Sequence, residues 1–127
     1  MRYEPIPTEL FIRNRERLLG LLKPNSMVIV HANDIYPTNA DGTMSFKQNS
    51  DLFYLTGVDQ EETVLVLMPD AVDPKEREIL FVRETNEHVA IWEGEKLTKE
   101  GAKRVILTLE PLLRFTTVSL ALHYFCL

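Results

Sequence analysis

The apolar positions of residues 1–32 follow first a helical and then an extended pattern. From Thr8 to about Leu22, apolar residues recur near helical spacing, and most charged residues lie on the opposite side. Pro5 and Pro7 hold the preceding residues extended, which leaves Thr8 as the candidate N-cap. Residues 27–32 (MVIVHA) are rich in β-branched side chains and predict a buried strand. The chain is therefore expected to begin with a helix and a strand.

Four further apolar segments predict strands: 52–56 (LFYLT), 63–68 (TVLVLM), 79–83 (ILFVR) and 89–92 (VAIW). The connections between them are too short for crossover helices, so the four strands should form an antiparallel meander. A second helix is expected from Thr98 to about Val105. The fold class predicted is α/β, with a mixed sheet whose antiparallel meander is flanked by helices.

Residues 33–45 separate the first strand from these segments and predict a long loop. They contain Pro37, Gly42, two asparagines and two aspartates, and they show no regular apolar period. Loops of this length are uncommon in compact domains. We therefore expect this loop either to be functional or to pack against a partner.

The composition changes near Val105. In residues 106–127 only Glu110 and Arg114 are charged, and the polar residues of this segment do not form a separate face. A buried helix or strand would have such a composition, and so would translation past a frameshift. We therefore treat residues 1–127 as a single domain and leave open whether it is complete or incomplete. Residues 105–127 form an atypical apolar tail of this domain.

Charge and composition exclude several classes of function. The net charge of −5 and the absence of a Lys/Arg cluster argue against a nucleic-acid interface or an anionic membrane surface. No apolar run is long enough to span a bilayer, and the N-terminus lacks the pattern of a signal peptide. The single cysteine, Cys126, excludes an internal disulfide. We expect a soluble cytoplasmic domain without nucleic-acid or membrane partners.

The sequence shows no motif for catalysis or metal binding. The three histidines, His31, His88 and His123, are far apart, and no carboxylate stands beside them at a zinc-peptidase spacing. Glycine-rich phosphate loops and a serine nucleophile motif are also absent from the sequence. We therefore assign no catalytic and no metal residue. A small enzyme that uses His31, Asp34 and the long loop is kept as a further alternative.

Residues 46–57 (FKQNSDLFYLTG) join a polar run to an aromatic segment that stops at a glycine. Asn49, Ser50 and Asp51 can bond their own backbone and fix a sharp turn. As members of a strand, Phe53 and Tyr54 would point to opposite faces of the sheet. The segment is either a capped strand or a turn that positions the long loop against a partner surface.

Together with later segments, residues 46–57 resemble the N-terminal domain of the Xaa-Pro aminopeptidases (aminopeptidase P), in the prolidase and creatinase group. The family shows Phe/Tyr-Arg-Gln-Asn-Ser-Asp-Phe-x-Tyr-x-Thr-Gly, which residues 46–57 match with Lys47 and Leu52 as departures. An acidic strand, a Leu-Phe-Val-Arg strand and Trp-x-Gly follow in the family order, here at residues 61–67, 80–83 and 92–94. The resemblance covers about residues 8–104.

The resemblance implies a domain without its own catalytic residues. In the family, two metal ions, usually manganese, lie in a larger C-terminal catalytic domain of the pita-bread fold, and none of its ligand motifs occurs here. The N-terminal domain is a mixed sheet with helices, and it contributes to homo-oligomer assembly and narrows the entrance for proline-containing peptides. Trp92 matches a family tryptophan that reaches the active-site mouth of a neighbouring subunit. The remaining motif residues are read as architectural: Phe46, Gln48, Asn49, Ser50, Asp51, Tyr54, Gly57 and Gly94.

The leading hypothesis is therefore the non-catalytic N-terminal domain of a manganese-dependent Xaa-Pro aminopeptidase. Its partner would be the C-terminal catalytic domain of the same enzyme, which the chain lacks. The main alternative is a stand-alone binding or oligomerisation module without peptidase activity, with the sheet edge and the apolar tail as its interface.

Overall fold

The computed structural model describes residues 6–83 and the backbone of residues 112–115. Two helices, four strands and one 3-10 turn lie in these ranges: α1 (Thr8–Leu19), β1 (Val28–His31), α2 (Ser50–Thr56), β2 (Val64–Leu67), the 3-10 turn (Pro74–Glu76), β3 (Glu78–Arg83) and β4 (Leu112–Phe115). The strand predicted at residues 89–92 and the helix predicted from Thr98 lie outside the described residues.

The described strands form a mixed sheet in the order β1-β2-β3-β4. Strands β1, β2 and β3 are antiparallel, with Leu65 opposite both Val30 and Leu80. Strand β4 runs parallel to β3 and places Leu112 opposite Leu80. The predicted fold class, an α/β mixed sheet with an antiparallel meander, is confirmed.

The membership of the meander differs from the prediction, because residues 52–56 form a helix rather than a strand. The Asn49 side chain accepts hydrogen bonds from the first backbone N–H groups of α2, and Gly57 ends the helix in the left-handed conformation. Leu52, Leu55 and Thr56 are buried, which is the i, i+3, i+4 spacing of a helix. The aromatic residues favoured a strand, but the two caps and this spacing decide for a helix.

Helix α1 is shorter than predicted and its N-cap differs. It begins at Thr8 with Pro7 as the N-cap, and no side chain caps it; Gly20 follows its last residue in the right-handed helical conformation. Phe11, Asn14 and Arg15 are its buried residues. The charged residues of α1 were expected mostly on the polar side. Arg15 departs from this expectation, and its burial is explained below by the partners it meets.

Strand β1 was predicted to be buried, but it lies at one edge of the sheet that the described strands form. Val28, Ile29 and Val30 are half-buried, and His31 is exposed. An edge strand is covered by only one neighbouring strand, so its β-branched residues remain partly accessible. Central strand β2, in contrast, is buried along its whole length.

The core lies on both faces of the sheet, because β2 and β3 send alternate side chains to opposite faces. On one face, Leu65, Leu67, Leu80 and Val82 pack with residues of α2 and the following Val58. On the other face, a second buried cluster forms from Val64, Val66, Ile79 and Phe81. Helices α1 and α2 therefore pack on the first face and are anchored to the sheet there.

Gly57 should be intolerant of a side chain, whereas Gly20 should accept one. Gly57 has φ +71°, and a Cβ there would lie 2.5 Å from the ring of Phe11. Gly57→Ala should therefore lower the free energy of unfolding by about 2–4 kcal/mol, from backbone strain and overpacking together.

Gly20→Ala is the matched control. Its Cβ would meet nothing nearer than 3.5 Å, so its effect should stay within about 1 kcal/mol. Urea unfolding followed by far-ultraviolet circular dichroism measures both variants. Equal stability of the two would refute the packing of Gly57 on Phe11.

Candidate functional site

Residues 46–57, which we call the motif segment, form a turn and a helix whose first turn is capped by the side chain of Asn49. The Asn49 Oδ1 atom accepts hydrogen bonds from the backbone N–H of Asp51 at 2.9 Å and of Leu52 at 3.5 Å. These bonds satisfy two of the N–H groups that the first turn of a helix leaves without partners. The Asn49 side chain thus specifies where α2 begins.

Gln48 ties the start of the motif segment to the chain that follows α2. Its Nε2 group donates to the carbonyl oxygens of Val58 at 3.1 Å and Gln60 at 2.8 Å. Its Oε1 atom accepts from the backbone N–H of Asn49 at 2.8 Å. One amide side chain therefore closes the loop around α2 and uses both its donor and its acceptor atoms.

Helix α1 holds the C-terminal end of α2 through two polar side chains. Asn14 Nδ2 donates to the carbonyl oxygen of Tyr54 at 2.9 Å, and Arg15 Nη1 donates to that of Leu55 at 2.7 Å. Carbonyl groups in the last turn of a helix have no partner within the helix, so these bonds satisfy them. Arg15 Nε also donates to Glu78 Oε2 in β3 at 2.9 Å.

An aromatic contact completes the junction of the two helices. The rings of Phe11 and Phe53 meet edge to face, with 6.1 Å between centroids. The absence of a side chain at Gly57 leaves room for the Phe11 ring beside the backbone. Burial of Phe11 therefore depends on the glycine that ends the motif.

The predicted site residues fall into three groups. Those with a structural contact are Gln48 and Asn49, through their side chains, and Gly57, through its conformation and the space beside it. Ser50, Asp51 and Tyr54 are exposed, and Phe46 is half-buried. Trp92 and Gly94 lie outside the described residues. Their suggested roles in substrate contact and architecture stay predictions.

Two residues of α1, Asn14 and Arg15, were missed by reasoning from the sequence. Both are buried and both bind the motif segment. A signal existed, because they lie three and four positions after Phe11 and so share its helical face. A charged residue on the apolar face of a helix indicates a specific buried partner.

An apolar groove lies between α1 and the motif segment and has a volume of about 570 Å³. Its lining includes Leu10, Phe11, Phe46, Phe53 and Tyr54, with Lys47 and Asp59 as the charged residues. Leu10 and Tyr54 are 37% and 54% exposed. The groove can accommodate apolar side chains of another polypeptide segment.

A second cleft, of about 580 Å³, lies at the end of β1 and is acidic. His31, Asp34, Glu61 and Glu62 contribute to its lining. Glu62 Oε1 lies 3.4 Å from Arg83 Nη1 in an ion pair. Within residues 6–83, no three histidine, cysteine or carboxylate side chains are grouped closely enough to hold a metal ion. The cleft therefore does not fit the two-metal centre that the resemblance implies elsewhere in the enzyme.

Neither described helix is long and apolar enough to cross a membrane.

The mixed sheet, with α1 and the capped motif segment packed on one face, defines a small α/β domain. The chain belongs to the family of aminopeptidase P N-terminal domains, whose family model matches residues 11–110. This match confirms the resemblance that was based on the motif segment and the later strands.

Curated relatives from bacteria and from an amoeba are named Xaa-Pro aminopeptidases. The chain is 32% identical over 97 residues to the Xaa-Pro aminopeptidase of Escherichia coli K12, which is 76% of this chain and 22% of that enzyme. It is 33% identical over 94 residues to Xaa-Pro aminopeptidase 3 of Dictyostelium discoideum, covering 74% of this chain and 18% of that protein. The chain thus spans about a fifth of the length of these relatives.

Solved structures agree with the sequence comparison. Aminopeptidase P from Escherichia coli with the inhibitor Pro-Leu has a TM-score of 0.80 at 28% identity, over 95% of this chain and 27% of that one. The Pseudomonas aeruginosa aminopeptidase PepP has a TM-score of 0.70 at 33% identity, over 77% of this chain and 22% of that one. The chain therefore resembles one part of a larger enzyme.

Asn49→Ala should destabilise the domain by about 1 kcal/mol, because the first N–H groups of α2 lose their acceptor. Asn49→Asp keeps an acceptor oxygen at the same place and should cost less than half as much. Thermal unfolding of the two variants and the unaltered chain gives the comparison. An alanine variant as stable as the aspartate variant would show that the cap does not stabilise α2.

Proposed function

We propose that this chain is the non-catalytic N-terminal domain of a manganese-dependent Xaa-Pro aminopeptidase, an enzyme that removes the residue before proline. The observation that carries the proposal is the family match over residues 11–110, together with relatives named for this activity. The chain corresponds to 22% of the E. coli enzyme, so a separate catalytic domain would supply the remaining parts.

The chemistry of the described residues supports a non-catalytic role. Hydrolysis by two metal ions needs a cluster of carboxylate and histidine ligands to bind the ions and generate the attacking hydroxide. No such cluster occurs in the part of the chain that the structure describes. We propose that two manganese ions bind in the C-terminal catalytic domain, outside this chain.

The domain would act through its surfaces, in assembly of a homo-oligomer and in restricting access to short peptides. The apolar groove beside Leu10 and Tyr54 supports an assembly role, because exposed apolar surface of this kind favours contact with another polypeptide. Trp92 is the residue we propose for contact with substrate at a neighbouring subunit. We propose the cytoplasm as the location, in keeping with a chain that has one cysteine.

A fusion tests this function directly. In it, residues 11–110 of this chain replace the matching segment of the E. coli enzyme. The fusion should release the first residue of Xaa-Pro peptides with manganese, whereas the isolated 127-residue chain should not. If the isolated chain hydrolyses these peptides and a chelator abolishes that activity, the non-catalytic role is contradicted. A folded fusion that is inactive, beside an isolated chain that forms a stable dimer, would favour the stand-alone module instead.

Trp92→Ala in the same fusion should lower kcat/KM for Xaa-Pro peptides about tenfold, through loss of a contact that positions the substrate. Val72→Ala is the control, because Val72 is fully exposed in a turn between β2 and β3. Steady-state kinetics with a proline-containing tripeptide gives both values. Identical kinetics for the two variants would remove Trp92 from the substrate site.

A further inference from the structure

The long loop between β1 and the motif segment contains an ordered hairpin, residues 35–44. Pro37 pairs with Thr43 in an antiparallel bridge. The backbone N–H of Met44 donates to the carbonyl oxygen of Tyr36 at 2.8 Å, and that of Thr38 donates to Gly42 at 2.8 Å. These bonds give residues 35–44 a defined shape.

Local packing fixes the tip and the base of the hairpin. At the tip, Ala40 has φ +52°, and a Cβ at Gly42 would lie 2.6 Å from the Thr38 hydroxyl oxygen. At the base, Asn33 Nδ2 donates to the carbonyl oxygen of Lys47 at 3.0 Å, which ties the loop to the motif segment. The hairpin is therefore held relative to α2.

Three large apolar side chains of the hairpin are exposed. Tyr36 is 67%, Met44 62% and Ile35 40% accessible. Tyr36 and Met44 are cross-strand neighbours, so their side chains share one face of the hairpin. Ile35 lines the acidic cleft and is therefore not counted with this pair. Two large apolar side chains exposed side by side on an ordered loop are unfavourable in water and typical of a contact surface.

We propose that the hairpin is a docking element, through which this domain contacts the rest of the longer polypeptide to which it belongs. The proposal rests on the proposed function, because it takes the catalytic domain as the partner. It adds the surface that makes the contact: Tyr36 and Met44.

The size of the patch favours a partner in the same polypeptide over a second copy of the chain. Two side chains of this kind supply roughly a few hundred Å², whereas a stable interface between separate proteins buries about 800 Å² on each partner. A covalent link raises the effective concentration of the partner to the millimolar range, so a small patch is sufficient. The chain spans only 22% of the E. coli relative, which leaves a large domain to supply the opposing surface.

The test uses a double variant, in which Tyr36→Ser and Met44→Ser are combined; we call it the hairpin variant. It is measured in the isolated chain and in the fusion with the E. coli enzyme. Val72→Ser is the matched control, since it removes a fully exposed apolar side chain from another turn. Differential scanning calorimetry measures Tm. In the isolated chain, the hairpin variant and the Val72→Ser control should each shift Tm by less than about 1 °C, because the side chains are already in water. In the fusion, the hairpin variant should lower Tm by about 3 °C or more, whereas the control should not lower it.

Other outcomes would overturn the proposal. Equal shifts in the isolated chain and the fusion would mean that the hairpin only stabilises its own domain, or does nothing. Sedimentation velocity that shows an isolated dimer, lost in the hairpin variant, would assign the patch to a second copy. A fusion that folds with the expected Tm difference but does not hydrolyse peptides would contradict the proposed function alone, and one that does not fold would count against both.

Discussion

The buried guanidinium of Arg15 is the interaction on which the arrangement of this domain depends. The Arg15 side chain is 1% exposed, and Glu78, its partner in β3, is 20% exposed. A charge removed from water is costly unless an opposite charge and hydrogen-bond acceptors surround it. Arg15 meets this requirement with the carboxylate of Glu78 and the carbonyl oxygen of Leu55. The charge is compensated in this way only when α1, α2 and β3 meet at one place.

The motif segment is built around the same junction, which gives its polar residues an architectural role. Asn49 fixes the first turn of α2, and Gln48 holds the chain before α2 against the chain after it. Gly57 ends the helix and leaves the space that Phe11 fills. The pattern of polar and glycine positions thus specifies the placement of a short helix. This placement also fixes the hairpin, whose base is bonded to Lys47.

The strands β2 and β3 and the mixed α/β fold could be predicted, because short apolar runs that contain β-branched residues and are bounded by turn residues favour buried strands. Helix α2 could not, since Phe53 and Tyr54 favour a strand locally and the decisive caps act over only seven residues. The place of Arg15 on the helical face of Phe11 was visible in the sequence, but its partner Glu78 was not, because it is 63 residues away. The apolar groove and the acidic cleft also combine residues from separate segments, which periodicity cannot bring together. Family membership could be predicted from the sequence, since it depends on the order of the motifs along the chain and not on their conformation.

A double-mutant cycle on Arg15 and Glu78 tests most directly whether the arrangement of the domain depends on the buried ion pair of Arg15. Arg15→Met, Glu78→Gln and the combined variant would be compared with the unaltered chain in urea unfolding. Arg15→Met should cost about 3 kcal/mol, since it leaves a partly buried carboxylate without its cation. The combined variant should lose at least about 1 kcal/mol less than the two single losses together. Strictly additive losses, or an Arg15→Met variant as stable as the unaltered chain, would contradict the central position of this ion pair.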